Sequence, residues 1–241
     1  MTTAAGVIIG DEILSGKVTD ENTSYLIKVM KEVGVRLHRV AIVGDEMDDI
    51  VREVRFCSEK HDYVFTSGGV GPTHDDLTMA AVAAAFDLPL ERDPVIEAMV
   101  HQHWGPAVTE AALKLADLPQ GARLVRTKGS MLPGVVLRNI FILPGIPKLF
   151  RAKLRDLSQE LEGEALSLSA VKLRADESSV ASILNQVVAA HPAVQIGSYP
   201  RMDDPEYTVR VTLEALDPDA VKRALNQLLS LLPPTLVVGT E

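Results

Sequence analysis

The stretch Thr66-Ser67-Gly68-Gly69-Val70-Gly71-Pro72-Thr73-His74-Asp75-Asp76-Leu77-Thr78 limits the possible folds more than any other part of the chain. Residues 62–65 before it read as a buried strand, and the alanine-rich residues 79–86 after it read as a helix. The glycines therefore occupy a strand-to-helix turn. Gly68, Gly69 and Gly71 permit positive φ and leave backbone N–H groups uncovered, which lets a phosphate approach the main chain near a helix N-terminus. Asp75 and Asp76 are expected at the cap and first turn of that helix. A carboxylate there either satisfies free N–H groups or, beside a bound phosphate, holds a divalent metal. Capping and binding both stay open on this stretch alone, and two adjacent carboxylates beside a phosphate-sized nest favour a site.

Residues 4–9 read as an apolar strand that ends at Gly10-Asp11-Glu12-Ile13-Leu14-Ser15-Gly16. Asp11 and Glu12 then lie where open α/β sheets bind ligands, or else in a solvated turn. Asp20 or Asn22 caps a helix over residues 23–33, which Gly34 ends. A second strand over 35–43 closes on Gly44-Asp45-Glu46, and a helix over 48–60 leads to the glycine turn. This is a repeated β-turn-α unit. Right-handed crossovers place Asp11, Asp45 and the glycine turn along one edge of a parallel sheet.

Beyond Pro89 the pattern is helical over 94–103 and 109–116. His101 and His103 are two apart and face different sides of a helix, which argues against a shared metal; Trp104 and Met99 read as packing. Residues 123–126 and 135–143 read as two further strands, joined by Thr127-Lys128-Gly129-Ser130-Met131-Leu132-Pro133-Gly134. Lys128 in that turn is either a ligand-facing charge or a solvated lysine. Leu143-Pro144-Gly145-Ile146-Pro147 opens a helix to about residue 160, with Pro147 as a helix initiator or a ligand wall.

From residue 164 the order is strand 165–173, helix 177–190, strand 194–199, strand 207–215, helix 219–231 and strand 235–238, a β-α-β-β-α-β ferredoxin-like unit. The expected organisation is thus a three-layer parallel-sheet α/β domain over 1–163 and an α+β subdomain over 164–241. Its hairpin, Gly197-Ser198-Tyr199-Pro200 with the polar turn 201–206, is either solvated or an interface. A chain of 241 residues with 46% hydrophobic and 24% charged residues suffices for both units. The sequence has no apolar run of membrane-spanning length and no secretory pattern at its start, so a cytoplasmic protein is expected. A net charge of -9 argues against nucleic-acid or anionic-membrane partners. Cys57, the single cysteine, excludes an internal disulfide and a thiolate cluster and reads as a small core residue.

Together, the 10–16 turn, Asp20-Glu21-Asn22, Val43-Gly44-Asp45, the 67–78 run and Leu143-Pro144-Gly145-Ile146-Pro147 resemble the molybdopterin-binding (MoCF-type) domain family. The similarity is strongest to the branch of competence/damage-inducible protein A and the N-terminal domain of FAD synthase. Asp176-Glu177-Ser178-Ser179 and Gly197-Ser198-Tyr199-Pro200 extend it into the small unit. In the molybdenum-cofactor members a glycine turn and two strand-end aspartates handle molybdopterin and its adenylylation. By motif those aspartates correspond to Asp45 and Asp76. Val70 departs from their usual threonine, and the Gly-Pro-Thr-x-Asp-Asp form over residues 71–76 is that of the second branch. Leu149 replaces the glutamate of competence proteins, which brings the comparison closer to FAD synthase. Amidase and adenylyltransferase chemistry are not expected.

The resemblance implies metal-dependent cleavage of dinucleotide pyrophosphates such as ADP-ribose or FAD. Asp45 and Asp76 would hold a divalent Mg²⁺, Mn²⁺ or Co²⁺, and Asp75, or Asp11 with Glu12, would orient water. Ser67, Gly68, Gly69, Gly71, Pro72 and Thr73 would hold phosphate, Lys128 would neutralise the leaving group, and Pro144, Gly145 and Pro147 would wall the ligand. The alternatives are a molybdopterin-binding protein of cofactor biosynthesis and a non-catalytic nucleotide-binding module, so the ligand is a small nucleotide or pterin. A homo-oligomer, with a dimer favoured, is also expected, because a unit of about 75 residues is marginal alone.

Overall fold

Thr3–Ile9 (β1) is apolar at every position after its first, and both faces of the strand are covered. A strand reads this way when helices lie on both sides of a parallel sheet. The computed structural model describes residues 1–128, 130–201 and 205–241. After β1 come α1 (Asp11–Leu14), α2 (Asn22–Glu32), β2 (Arg36–Val43), α3 (Met47–Lys60), β3 (Tyr63–Ser67), α4 (Thr78–Ala85), β4 (Leu90–Arg92) and α5 (Pro94–Trp104). There follow α6 (Glu110–Leu113), β5 (Asp117–Pro119), β6 (Arg123–Val125), β7 (Gly134–Leu137), β8 (Ile140–Leu143) and α7 (Pro147–Leu157). A second run holds β9 (Ser167–Leu173), α8 (Glu177–Ala190), β10 (Gln195–Pro200), β11 (Val209–Ala215), α9 (Pro218–Leu231) and β12 (Val237–Thr240). The chain divides into two compact units, Met1–Glu164 and Ala165–Glu241.

The first unit carries a six-stranded sheet of order β2-β1-β3-β8-β7-β6, with β2, β1, β3 and β8 parallel, β7 antiparallel to β8, and β6 antiparallel to β7. Alternate residues of β1 serve opposite faces. Ala4 joins Leu26 and Met30 of α2 and Phe150, Leu154 and Leu157 of α7, while Ala5, Val7 and Ile9 join Ile50 and Val54 of α3 and Val82 of α4. This is the three-layer arrangement, α/β/α, expected from the repeated β-turn-α units. Phe65 of β3 and Phe141 of β8 stack with ring centroids 5.0 Å apart and align the parallel pair at the sheet centre.

In the second unit the sheet is antiparallel, in the order β10-β11-β9-β12. Val171, Leu173, Val211 and Leu213 of its strands pack with Val180 and Val187 of α8 and Val221 and Leu228 of α9. The split β-α-β topology is the ferredoxin-like one.

Three local readings are corrected. Residues 135–143 form not one strand but the hairpin β7–β8, which turns at Arg138 with φ 52, a conformation that no glycine announces. Asp11 and Glu12 lie in the first turn of the short helix α1 rather than in an open turn. The helix after the glycine turn starts at Thr78, with Leu77 as its N-cap, so Asp75 and Asp76 precede it. Of the two residues expected to cap α2, Asp20 is the one that does so: its Oδ1 accepts from the Asn22 and Thr23 N–H groups, which frees the Asn22 side chain. Gly129, in the expected 127–134 turn, and Met202, Asp203 and Asp204, in the hairpin turn, lie outside the described residues. Cys57 is fully buried and donates to Glu53; burial pushes its thiol up to about 12, as suits a core residue. Among the described residues no helix is long and apolar enough to cross a membrane.

Leu154 is fully buried between α7 and the sheet. Leu154→Ala is expected to lower unfolding free energy by about 2–5 kcal/mol, read as a shifted midpoint in chemical denaturation.

Candidate functional site

The C-terminal ends of β1, β3 and β8 converge on one cleft of about 750 Å³. This is the edge where parallel α/β sheets leave room for ligands. The convergence depends on two glycines. A Cβ on Gly68, whose φ is +107, would stand 2.1 Å from the Ile9 carbonyl oxygen at the end of β1. A Cβ on Gly145, after β8, would meet the Gly68 Cα at 3.3 Å. The Gly68 N–H donates to the Leu143 carbonyl at 3.2 Å, which completes the seam between the segments.

From Gly68 to Thr78 the loop is held largely by itself. Thr78, fully buried, donates through Oγ1 to the Gly68 carbonyl at 2.7 Å, and its N–H donates to the Gly69 carbonyl at 2.9 Å. Asp76 accepts from the Gly71 N–H at 2.7 Å, the Thr73 N–H at 2.8 Å and the Thr73 hydroxyl. Lys114 donates to the carbonyls of Thr73 at 2.6 Å and Asp76 at 3.1 Å. Asp76 is therefore an anchor of the glycine loop, and the N–H groups of Gly71 and Thr73 are already engaged. Among the described residues the N–H groups of Gly69, Val70, Gly145 and Ile146 have no hydrogen-bond partner. All four residues line the cleft, and the N-terminus of α7, which no side chain caps, opens beside them. Free amides at a helix start attract an anion.

At the outer rim Asp11 and Asp45 bind each other's backbone, with the Asp11 N–H on Asp45 Oδ2 at 2.9 Å and the Asp45 N–H on Asp11 Oδ1 at 3.4 Å. Burial first, then the charges of Asp11, Glu12 and Asp75, hold the Asp45 carboxyl above its usual range, against the lowering effect of the Asp11 N–H. Asp75 is held below its usual range by its hydrogen bond with Thr73, its own backbone and the nearby charges of His74 and Lys114.

The cleft brings together the predicted residues Glu12, Gly68, Gly69 and Gly71, as well as Asp76, Pro144, Gly145 and Pro147. It does not include Asp11, Asp45 or Asp75, which stand at the rim, nor Pro72 and Thr73. Ser67 is buried and accepts from Asn22, and Lys128 is exposed outside the lining. Sequence reasoning missed three residues. Asn22, 5% exposed, donates through Nδ2 to Ser67 Oγ at 2.9 Å and the Gly145 carbonyl at 2.7 Å, tying β3 to the 144–147 turn, while its Oδ1 has no partner. Lys114 and Lys153 had no motif to mark them. Trp104, Met79 and Leu115 give the cleft an apolar inner surface, so Trp104 packs and lines the cleft at once.

A second cavity, of about 540 Å³, lies at the opposite strand ends around Thr3, Arg36, His38 and His61. It holds none of the residues named from the motifs.

Residues 5–163 match a family described as "Probable molybdopterin binding domain", and residues 165–241 match one described as "FAD synthase, middle domain". A protein of Archaeoglobus fulgidus is 32% identical over 229 residues, covering 94% of this chain and 96% of the relative. A Caenorhabditis briggsae protein named "Probable FAD synthase" is 34% identical over 258 residues, covering 94% of this chain and 49% of the relative. The chain thus spans about half the length of that relative. Among solved structures, the CinA protein of unknown function from Thermoplasma acidophilum aligns with a TM-score of 0.62 at 30% identity, covering 66% of this chain and 97% of the other.

Asp76→Asn is expected to release the loop, because an amide NH₂ cannot accept from an N–H. Hydrogen exchange at the Gly71 and Thr73 amides should rise, with a stability loss of about 1–3 kcal/mol. Unchanged exchange at both amides would remove Asp76 as the anchor.

Proposed function

The chain belongs to the molybdopterin-binding domain family, and from that membership and its cleft we propose that it hydrolyses dinucleotide pyrophosphates such as ADP-ribose or FAD with the help of a divalent metal. One observation carries the proposal: unengaged N–H groups at Gly69, Val70, Gly145 and Ile146 line the inner wall, while carboxylates crowd the rim. Such a division suits a ligand whose phosphates lie against backbone and whose P–O–P bond faces the carboxylates.

The donor set fits a hard, oxygen-seeking cation. Among the described residues no three His, Cys, Asp or Glu side chains form a metal-holding group by themselves, so the protein provides no closed cage. Magnesium-type ions are commonly held by one or two carboxylates, with phosphate oxygens and water completing the shell. Asp45 keeps Oδ1 free of hydrogen bonds, and the neighbouring negative charges that raise its carboxyl would be relieved by a cation. Asp45 and Asp76 would hold the metal, which would polarise a phosphate oxygen and lower the pKa of water. Gly69 and Gly145 would fix the phosphates through backbone, and Asp75 or Glu12 would orient the attacking water.

Ligand binding without turnover is the second reading, with a nucleotide or a pterin as the occupant. The engagement of both Asp76 oxygens within its own loop favours it. Incubation with ADP-ribose and FAD, with and without Mg²⁺, Mn²⁺ or Co²⁺, separates the readings. Metal-dependent release of AMP is expected, and binding without AMP would replace hydrolysis with the second reading. Gly69→Val is expected to weaken binding about tenfold or more, because φ is +63 and a Cβ would meet Thr78 Oγ1 at 2.4 Å. Unchanged affinity in a folded variant would exclude the backbone as the phosphate holder.

A homodimer belongs to the same reading, motivated by the small size of the second unit. Light scattering at micromolar concentration checks it, with a dimer mass expected.

A further inference from the structure

Among the described residues that line the cleft, Lys153 is the only one that carries positive charge. It stands on the inward face of α7, beside Leu154 and one turn beyond Phe150, where the helix pattern calls for an apolar residue. Its Nζ donates to the Pro133 carbonyl at 2.7 Å, and among the described residues no carboxylate pairs with it. Glu12 and Asp76 line the same cleft, yet neither forms an ion pair with it. An ammonium group has three donors, so two remain for a ligand.

We propose that Lys153 is the anion-binding cation of this cleft, and that its ammonium group donates to the phosphate of the ligand seated there. The proposal rests on reading the cleft as a site for phosphorylated nucleotides, and it moves the role expected of Lys128 to a different element. A partly buried ammonium without a counter-charge costs stability, and a methionine of similar length would fill the space without that cost. A bound phosphate removes the imbalance by supplying the missing charge and accepting two charge-assisted hydrogen bonds. Gly69, Val70 and Gly145 offer neutral donors on the same wall, so the lysine adds charge where the backbone adds shape.

Burial alone pushes the free amine down to about 8. Since phosphate binds the ammonium form, affinity is full below pH 8 and falls as pH rises above it. The loss continues up to the higher pKa that the lysine takes in the complex.

AMP and adenosine differ by one phosphate, and neither contains a P–O–P bond to cleave. Titration calorimetry of the full chain with each, in Mg²⁺, therefore isolates the lysine from catalysis. Lys153→Met is expected to lower AMP affinity roughly 10- to 100-fold and to leave adenosine affinity unchanged, which also reports an intact cleft. Lys153→Arg should retain much of the AMP affinity and lose its decline between pH 7 and 9.5. The wild-type pH series needs no variant: AMP affinity should fall across that range while adenosine affinity stays level. Equal AMP affinity in wild type and Lys153→Met, a flat wild-type pH series, or wild type that binds AMP no tighter than adenosine would each overturn the proposal. Wild type that binds AMP in the expected pattern but never cleaves ADP-ribose would retire the hydrolase reading and leave the lysine in place.

Discussion

The approach of Gly68 to the Ile9 carbonyl is the contact on which the rest of the first unit's working edge depends. With a Cβ it would be impossible at 2.1 Å, and the backbone there has a φ that L side chains rarely adopt. Because the chain passes so close, the ends of β1 and β3 are not separated by side chains. Gly145 then lies directly on the Gly68 Cα from the side of β8. Three strand ends become a single surface of main chain. Asn22 fastens that surface from below by bonding Ser67 and Gly145 together, and its buried amide explains why the first helical position of α2 holds a polar residue.

A loop with several glycines has large conformational freedom, and a site needs that freedom removed before a ligand arrives. Here the removal is done by side chains of the loop itself and one lysine from outside it. Thr78 closes the base, Asp76 draws in the Gly71 and Thr73 amides, and Lys114 holds the carbonyls of Thr73 and Asp76. The consequence is a selection among the amides. Those engaged by Asp76 serve the loop, and those of Gly69 and Val70 stay available at the cleft. The same carboxylate that suggests metal chemistry in the sequence has a structural duty that the sequence does not display.

The larger elements were legible because their causes are local. Apolar runs marked β1 and β3, alternation marked β2, and caps, glycine stops and amphipathic pattern marked α2 and α3, while the β-α-β-β-α-β order marked α8 and α9. The β7–β8 hairpin was not legible, since Arg138-Asn139 lacks the glycine that usually announces a tight turn and the flanking strands are apolar on both faces. The paired β4 and β5 are three residues each and carry no usable period. In the site, glycines and acidic pairs were visible as composition, so Glu12, Gly69 and Gly145 were found. Lys114 and Lys153 were not, because a lysine acquires meaning only from what surrounds its terminal nitrogen. Lys128 stands out in the sequence as the sole cation of a glycine-containing turn, yet it is exposed and outside the lining of the cleft.

The placement of charge gives the cleft a direction. Asp11, Glu12, Asp45 and Asp75 gather negative charge at the rim of a chain whose net charge is already -9, and an approaching anion is repelled there. The inner wall offers the opposite sign through Lys153, the free amides and the start of α7. A ligand that is uniformly anionic is opposed at the entrance, whereas one bound to a divalent cation presents positive charge to the rim and phosphate to the wall. The two ends of the cleft would then act on different parts of one ligand, the rim on the cation and the inner wall on the phosphate. On the proposed reading that polarity would give a metal a reason to enter with the phosphates, since among the described residues no three-carboxylate cage would retain it beforehand.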